Sequence, residues 1–457
     1  MKSLFPQSFK NIYHLGQAIL ANIFFGFPGR KIRVIGVTGT NGKTTTVQMV
    51  AKILEAGGNK VALASTINFR IGDKEWVNAT KMTTLSSFRV QRFLYQAVKQ
   101  GCSWAVLEVS SHSLDQNRVW GIPFEIAIIT NITREHLDYH ETMEKYRKAK
   151  LGLFERTRTA VINLDISDSE EFLNENLDKA YFYTASDKES KIKIMVVRAR
   201  DIQLSSDGSS FKVKNEEWEE EFKLNIPGKF NVENALSAIC VGISQNIRIG
   251  DIAKALESIK VVPGRMEKIP NDLGIDIIVD YAVTPDSLEK LYEYLSGIKK
   301  EGSNIISVFG SCGERDRGKR PIMGRVVSKS ADFVIITNED PYGENPVEII
   351  NQVFSGVVGV EVKGELPNFQ FPISNFQTIS NDKISNDKKV EGKNAWRIFD
   401  RREAIKQALS LAKPGDMVII TGKGAEEIMA VGKERIPWND KKVILEEIEK
   451  INPVTRE

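Results

Sequence analysis

The stretch Thr38-Gly-Thr-Asn-Gly-Lys-Thr-Thr-Thr46 constrains this chain more than any other part of it. A β-branched run, residues 31–37, leads into it. Residues 45–56 follow with apolar side chains at helical spacing. Strand, glycine-rich turn and helix make the opening unit of a parallel α/β sheet. Gly39 and Gly42 let backbone N–H groups turn inward around phosphate oxygens, and the helix N-terminus adds positive potential. In such a loop Lys43 reaches the terminal phosphates and the Thr44 hydroxyl ligates Mg2+. Val37 stands where a strict G-x-x-x-x-G-K-T loop has its first glycine. These residues predict phosphoryl chemistry on a nucleotide. A motor, a switch or a kinase would carry the same loop.

The rest of the chain continues the α/β pattern. Strands are predicted at 104–109, 126–130 and 160–164, a helix at 86–99, and β hairpins over 191–224. A second α/β block opens near Val262-Pro-Gly-Arg265. Its strands are expected at 275–280, 304–309, 333–337 and 417–421, with helices at 285–297 and 402–412. The 457 residues suit two or three domains. The expected division is an N-terminal apolar helix or leader (1–30), a central P-loop α/β domain (31–261) and a C-terminal Rossmann-like α/β domain (262–457). The last carries a polar loop insertion near 366–396 with the near-repeat ISNFQTISNDKISNDKK.

Charge and cysteines exclude some classes. Lys and Arg number 63 against 60 Asp and Glu, and no basic stripe with interleaved aromatics is present, so no nucleic-acid partner is expected. Three scattered cysteines suit a reducing, cytoplasmic setting better than a disulfide framework or a zinc site. Residues 12–27 are apolar but too short and too polar to span a bilayer. They are expected either as a helix packed on the first domain or as an interfacial helix in peripheral membrane contact.

Further motifs follow in order over residues 31–440. They are Glu108-Val-Ser-Ser-His-Ser-Leu-Asp-Gln-Asn-Arg118, Thr133-Arg-Glu-His-Leu-Asp-Tyr-His140 and Tyr146-Arg-Lys-Ala-Lys150. Next come Gly228-Lys-Phe-Asn-Val-Glu-Asn-Ala235, Pro263-Gly-Arg-Met-Glu267, Val279-Asp-Tyr-Ala282, Gly313-Glu-Arg-Asp-Arg-Gly-Lys-Arg-Pro321 and Gly422-Lys-Gly424. Together with the TGTNGKTTT loop they resemble the Mur ligase family, which builds the peptide stem of the bacterial cell wall. The resemblance is strongest to members that add the third stem residue to UDP-MurNAc-L-Ala-D-Glu.

The resemblance implies an ATP-dependent acid–amino-acid ligase. ATP turns a peptide carboxylate into an acyl phosphate, and an incoming amine displaces phosphate. It implies nucleotide contacts from Thr38, Gly39, Thr40, Asn41, Gly42, Lys43, Thr44 and Thr45, with Asn231, Asn234, Arg265 and Asp280. Catalytic roles fall to Lys43, Glu108, His136 and Lys150. Mg2+ ligands would be Thr44, Glu108, His136 and Lys150, the last once carbamylated. Thr83, Thr84, Ser110, Gln116 and Arg118 would grip the muramyl-peptide. Arg315, Asp340, Gly422 and Glu426 would complete the substrate contacts. Taken singly, Glu108 reads as a cap or surface carboxylate, His136 as a loop histidine and Lys150 as a solvated helix lysine. Three of the four histidines (His112, His136, His140) fall in these motifs, which favours the functional reading.

The family pattern is also broken in places. Thr38 lies too near the start of the chain for a UDP-binding domain to precede it. D-N-P-R, whose Arg holds the distal carboxylate of diaminopimelate, reads Glu339-Asp-Pro-Tyr342. Y-A-H-T-P reads Tyr281-Ala-Val-Thr-Pro285, and G-K-G-H-E reads Gly422-Lys-Gly-Ala-Glu426. Tyr342 cannot form a charged fork. The expectation is an active ligase whose acceptor is not diaminopimelate. The alternatives are a related ligase on a non-UDP substrate, of folylpolyglutamate or poly-amino-acid type, or a non-catalytic nucleotide-binding partner in cell-wall assembly.

Overall fold

In the computed structural model, residues 7–155, 157–214, 218–358 and 391–451 are described. Residues 366–390 of the expected insertion lie outside them. Contacts divide the chain into two units, Met1–Val262 and Pro263–Glu457.

In the first unit, helix α1 (Gln7–Phe25) precedes β1 (Arg33–Thr38). Every residue of β1 after Arg33 is buried, as a central parallel strand covered on both faces requires. The phosphate loop follows, then α2 (Lys43–Ala56) and α3 (Ser87–Lys99). β1 runs parallel between β2 (Trp104–Glu108) and β3 (Phe124–Ile129). Short helices α4 (Ser111–Asp115), α5 (Leu137–His140) and α6 (Met143–Leu151) come next, and α7 (Lys229–Ser244) closes the series.

The sheet holds eleven strands among the described residues. Beyond β3 it continues through Thr159–Asn163, Lys179–Thr184 and Met195–Leu204, all parallel. It ends in the antiparallel strands Ser209–Lys214 and Glu219–Leu224, the expected hairpins. Beyond β2 lie Val61–Ala64 and the hairpin Asn68–Ile71/Lys74–Val77. Thr38, Glu108 and Ile129 end their strands at one edge. Loops at the carboxyl ends of parallel strands are where α/β proteins bind ligands.

Helix α1 packs on α3 by burying Ala18, Ala21 and Asn22. The Asn22 amide donates to the carbonyls of Ala18 and Trp120, each at 2.9 Å. No described helix is long and apolar enough to cross a membrane.

The second unit is built on a sheet with six strands among the described residues. β4 (Asp276–Asp280), β5 (Ile305–Phe309), β6 (Phe333–Thr337) and β7 (Met417–Thr421) form its parallel centre, in the order β4-β7-β5-β6. Ala395–Ile398 extends it in parallel, and Glu267–Ile269 adds an antiparallel edge. The helix Pro285–Ile298 starts at a capping box between Thr284 and Ser287. It follows the carboxyl end of β4 at Asp280.

Candidate active site

Two glycines allow the phosphate loop its shape. Gly39 has φ 147° and Gly42 has φ 83°, a region that favours glycine. A Cβ at Gly39 would lie 1.8 Å from Thr130 Oγ1, and one at Gly42 would lie 2.2 Å from Asn234 Oδ1. The loop is pinned to the end of β3. Thr40 N donates to Asn131 O (2.9 Å), Asn41 N to Asn131 Oδ1 (2.8 Å), and Thr130 Oγ1 to Asn41 O (2.6 Å). Thr38, Thr44 and Thr45 are buried beneath it. Asn234 accepts from Thr46 Oγ1 (3.4 Å) and donates to Asn231 Oδ1 (3.2 Å). Asn234 of α7 thus lies against the loop, with Asn231 bonded to it.

Two lysine amines converge on one carbonyl of that loop. Lys43 Nζ donates to Gly39 O (3.1 Å) and Thr40 O (2.8 Å). Lys150 Nζ, from α6, donates to Gly39 O at 2.8 Å and lies 4.3 Å from the Tyr146 ring centre. Lys150 is fully buried. Burial, and then the charge of Lys43, hold its amine well below the ordinary lysine value.

Glu108 closes the other side. Its buried carboxylate accepts from Thr44 Oγ1 (2.9 Å), Thr66 N (2.8 Å) and Thr66 Oγ1 (3.0 Å). Thr66 belongs to no motif. It arrives because Val61–Ala64 pairs with β2. A hydroxyl and a carboxylate side by side are hard oxygen donors, and Mg2+ takes one or two such ligands while keeping most of its waters. The pair fits that ion. No group of three or more His, Cys, Asp or Glu among the described residues is arranged to hold a metal. His136, at φ 57°, sits edge-on to His112 with ring centres 4.7 Å apart. His140 is buried, with Nε2 3.0 Å from Ser111 Oγ, and burial lowers its basicity.

The residues expected to grip the peptide form one chain of bonds. Thr66 Oγ1, whose proton goes to Glu108, lies 3.3 Å from Thr83 Oγ1, and Thr84 Oγ1 donates to Glu108 O (2.9 Å). Ser110 N donates to Thr84 Oγ1 (2.9 Å). Arg118 reaches Thr84 O (3.2 Å) and places Nε and Nη2 on Gln116 Oε1 (2.8 and 2.5 Å). Gln116 donates on to Tyr139 Oη (3.1 Å), which donates to Asp115 Oδ2 (2.6 Å).

In the second unit Asp280 ends β4, half-buried, and accepts from Met266 N (2.8 Å); desolvation raises its carboxyl. The Arg265 guanidinium lies 4.3 Å from the Tyr281 ring centre. Lys423 organises the remainder, a role its place in a glycine-rich motif does not announce. Its buried ammonium donates to both oxygens of Asp340 (3.0 Å each), to Glu426 Oε2 (2.6 Å) and to Ile428 O (2.8 Å). Gly422, at φ 109°, leaves room for Glu339; a Cβ there would fall 2.7 Å from Glu339 Oε2. Burial, and then Asp340, push the Glu339 carboxyl up to about 7. Tyr342 holds the place of the missing arginine. Two guanidinium groups flank its ring, Arg315 at 5.4 Å and Arg435 at 5.3 Å.

Comparison with known proteins follows the same division. The model of the Mur ligase middle domain matches residues 37–242, and that of the Mur ligase glutamate ligase domain matches 264–369. The UDP-N-acetylmuramoyl-L-alanyl-D-glutamate–2,6-diaminopimelate ligase 1 of Clostridium acetobutylicum is 35% identical over 436 residues, covering 95% of this chain and 82% of the relative. The UDP-N-acetylmuramyl-tripeptide synthetase of a Roseiflexus species is 36% identical over 444 residues, covering 93% and 80%. A solved UDP-N-acetylmuramoyl-L-alanyl-D-glutamate–2,6-diaminopimelate ligase aligns with TM-score 0.58 at 30% identity, over 92% of this chain and 79% of that one. The folylpolyglutamate synthase of Mycobacterium tuberculosis shares the fold, with TM-score 0.65 at 17% identity over 89% and 92%.

Proposed function

We propose that this chain, which belongs to the Mur ligase family of ATP-dependent ligases, joins an amino acid to the free carboxylate of UDP-MurNAc-L-Ala-D-Glu in peptidoglycan synthesis. The observation that carries this reading is the meeting of Lys43, Lys150 and the Thr44–Glu108 pair at one loop, bonded through Glu108 to the Thr84–Ser110–Arg118 set.

The chemical difficulty is to bring an anionic carboxylate to an anionic γ-phosphate. A carboxylate oxygen attacks the γ-phosphorus, the bond to ADP breaks, and an acyl phosphate forms. The acceptor amine then attacks the acyl carbon, inorganic phosphate leaves, and the nitrogen gives up a proton. Lys43 exchanges its loop carbonyls for phosphate oxygens and stabilises the spreading charge. Backbone N–H groups of residues 39–45 cradle the phosphates. Arg118 holds the peptide carboxylate through a planar fork. Thr44 and Glu108 would hold Mg2+, which when bound screens the two anions from one another. Burial and the charge of Lys43 lower the Lys150 amine, which favours the neutral form that takes up CO2. Lys150 as a carbamate, with His136, would then hold a second ion. The chain is proposed to work in the cytoplasm.

The acceptor is proposed to be an amino acid other than diaminopimelate, because a phenol at Tyr342 replaces the arginine fork. Diaminopimelate is the second reading, favoured by the names of the relatives and by the guanidinium groups of Arg315 and Arg435 at the Tyr342 ring. The deciding experiment measures phosphate release from ATP with UDP-MurNAc-L-Ala-D-Glu and a panel of lysine, ornithine and diaminopimelate, with product mass followed in parallel. Release tied to one amino acid, with the matching mass gain, names the acceptor. Lys43→Ala is expected to lower that rate by ~100-fold or more. Unchanged amide formation in Lys43→Ala, or no release with any acceptor, sinks the reading.

A further inference from the structure

Helix α1 has two apolar faces, and the first unit covers one of them. Opposite the buried Ala18, Ala21 and Asn22, the side chains of Ile12, Tyr13, Leu20, Ile23 and Phe24 are 60–75% exposed. Their spacing puts them on one stripe of the helix, where Gly16 is the other exposed position among those described. The stripe continues onto α3, where exposed Phe88 has its ring centre 6.5 Å from that of Phe24. A contiguous row of large apolar side chains in water marks a surface that meets something.

The charges around the row say what it meets. Residues 7–33 and 87–99 contain no Asp or Glu, in a chain with 60 of them. Cations edge the row instead. Arg30 lies over the Phe27 ring at 4.7 Å, and exposed Lys31 follows it. Arg92 is exposed one turn beyond Phe88, with Arg89 beside it. Lys99 lies over Tyr95, whose ring meets Phe25. A second copy docked on the same face would bring two cationic rims together. A bilayer surface carrying anionic lipid suits both features: the apolar row enters the headgroup boundary, and the cations pair with lipid phosphates.

We propose that α1 and the N-terminal half of α3 form a docking surface for an anionic membrane, on which α1 lies flat. This is a property of the protein's surface and does not depend on which acceptor the ligase uses.

The test is co-sedimentation of the full chain with vesicles of phosphatidylcholine alone and of phosphatidylcholine with phosphatidylglycerol. Binding is expected to the anionic vesicles only and to fall as salt is raised. Leu20→Asp/Phe24→Asp should weaken it ~tenfold or more, and so should Arg89→Glu/Arg92→Glu, with phosphate release in vesicle-free solution unchanged. The charge reversals sit at exposed positions, so they keep the test open if the apolar variant folds poorly. Equal binding to both vesicles, or binding to neither, overturns the proposal. So does a concentration-dependent dimer that the same variants dissolve, because a second copy then covers the face.

Discussion

Glu339→Gln is expected to stabilise the protein above neutral pH and to leave it nearly unchanged in acid. Glu339 follows β6 at the carboxyl edge of the second sheet. Its side chain is buried, and Oε2 has no hydrogen-bond partner. Burial and the neighbouring Asp340 raise the carboxyl from 4.5 to about 7, against the opposing pull of Arg401, Lys423 and Lys319. At about 1.4 kcal/mol per factor of ten, that displacement corresponds to about 3 kcal/mol. The sign follows from linkage. The folded protein binds this proton more tightly than the unfolded chain, so the stabilisation is complete below about 4.5. It declines as pH rises toward about 7, and stability then stays at the lower level. Glutamine keeps the shape and one unpaired polar atom but cannot ionise. It should therefore match the parent near pH 4.5 and exceed it by about 3 kcal/mol near pH 8, a rise of roughly 6–12 °C in the unfolding midpoint of a unit this size. Differential scanning calorimetry at about pH 4.5, 6 and 8 reads this directly. An offset of the same size at every pH, or a variant less stable near pH 8, refutes the account of Glu339 as a carboxyl kept protonated by its surroundings.

Two further substitutions probe the two units separately. Gly42→Ala forces a Cβ to within 2.2 Å of Asn234 Oδ1 at φ 83°, so the loop must shift. ATP affinity, measured by titration calorimetry, should fall by ~tenfold or more, because strain of about 1–3 kcal/mol enters at the phosphate cradle. Lys423→Met removes the ammonium that Asp340 and Glu426 share, leaving two carboxylates without it. A loss of about 3–5 kcal/mol in the second unit is expected by thermal or denaturant unfolding. Unaltered stability would mean that these carboxylates are compensated by other groups.

Much of the fold can be read along the chain. β1, β2, β3 and the four central strands of the second sheet are short apolar runs, mostly β-branched outside β2, and a strand buried on both faces leaves that signal. Lys74–Val77 leaves none, because all four of its residues are exposed and no face alternates. The strand Ala395–Ile398 is equally hard to find, for Trp396, Arg397 and Ile398 are only partly buried. The phosphate loop, Glu108, Arg118 and Lys150 are legible as motifs because each stands in a run of distinctive residues, although the partners of Glu108 and Lys150 lie far along the chain. The role of Thr66 and the partners of Lys423 are not. Thr66 reaches Glu108 only through the order of strands in the sheet, and Lys423 meets Asp340 across 83 residues of chain.

Tyr342 shows why a motif departure is harder to interpret than a motif. By sequence it subtracts a guanidinium from the acceptor side. In the fold, Tyr342 N donates to Ala430 O (3.1 Å) and Gly432 N to Tyr342 O (2.7 Å), which ties the residue to the hairpin Ile428–Val431/Glu434–Pro437. That hairpin carries Arg435 back to the tyrosine ring. A guanidinium from a distant position, on an exposed side chain, thus stands at the ring of Tyr342. The guanidinium of Arg435 lies across the ring, where a direct arginine at 342 would project from the backbone itself. On the proposed reading of this site, a carboxylate bound beside Tyr342 would meet that cation from a different direction.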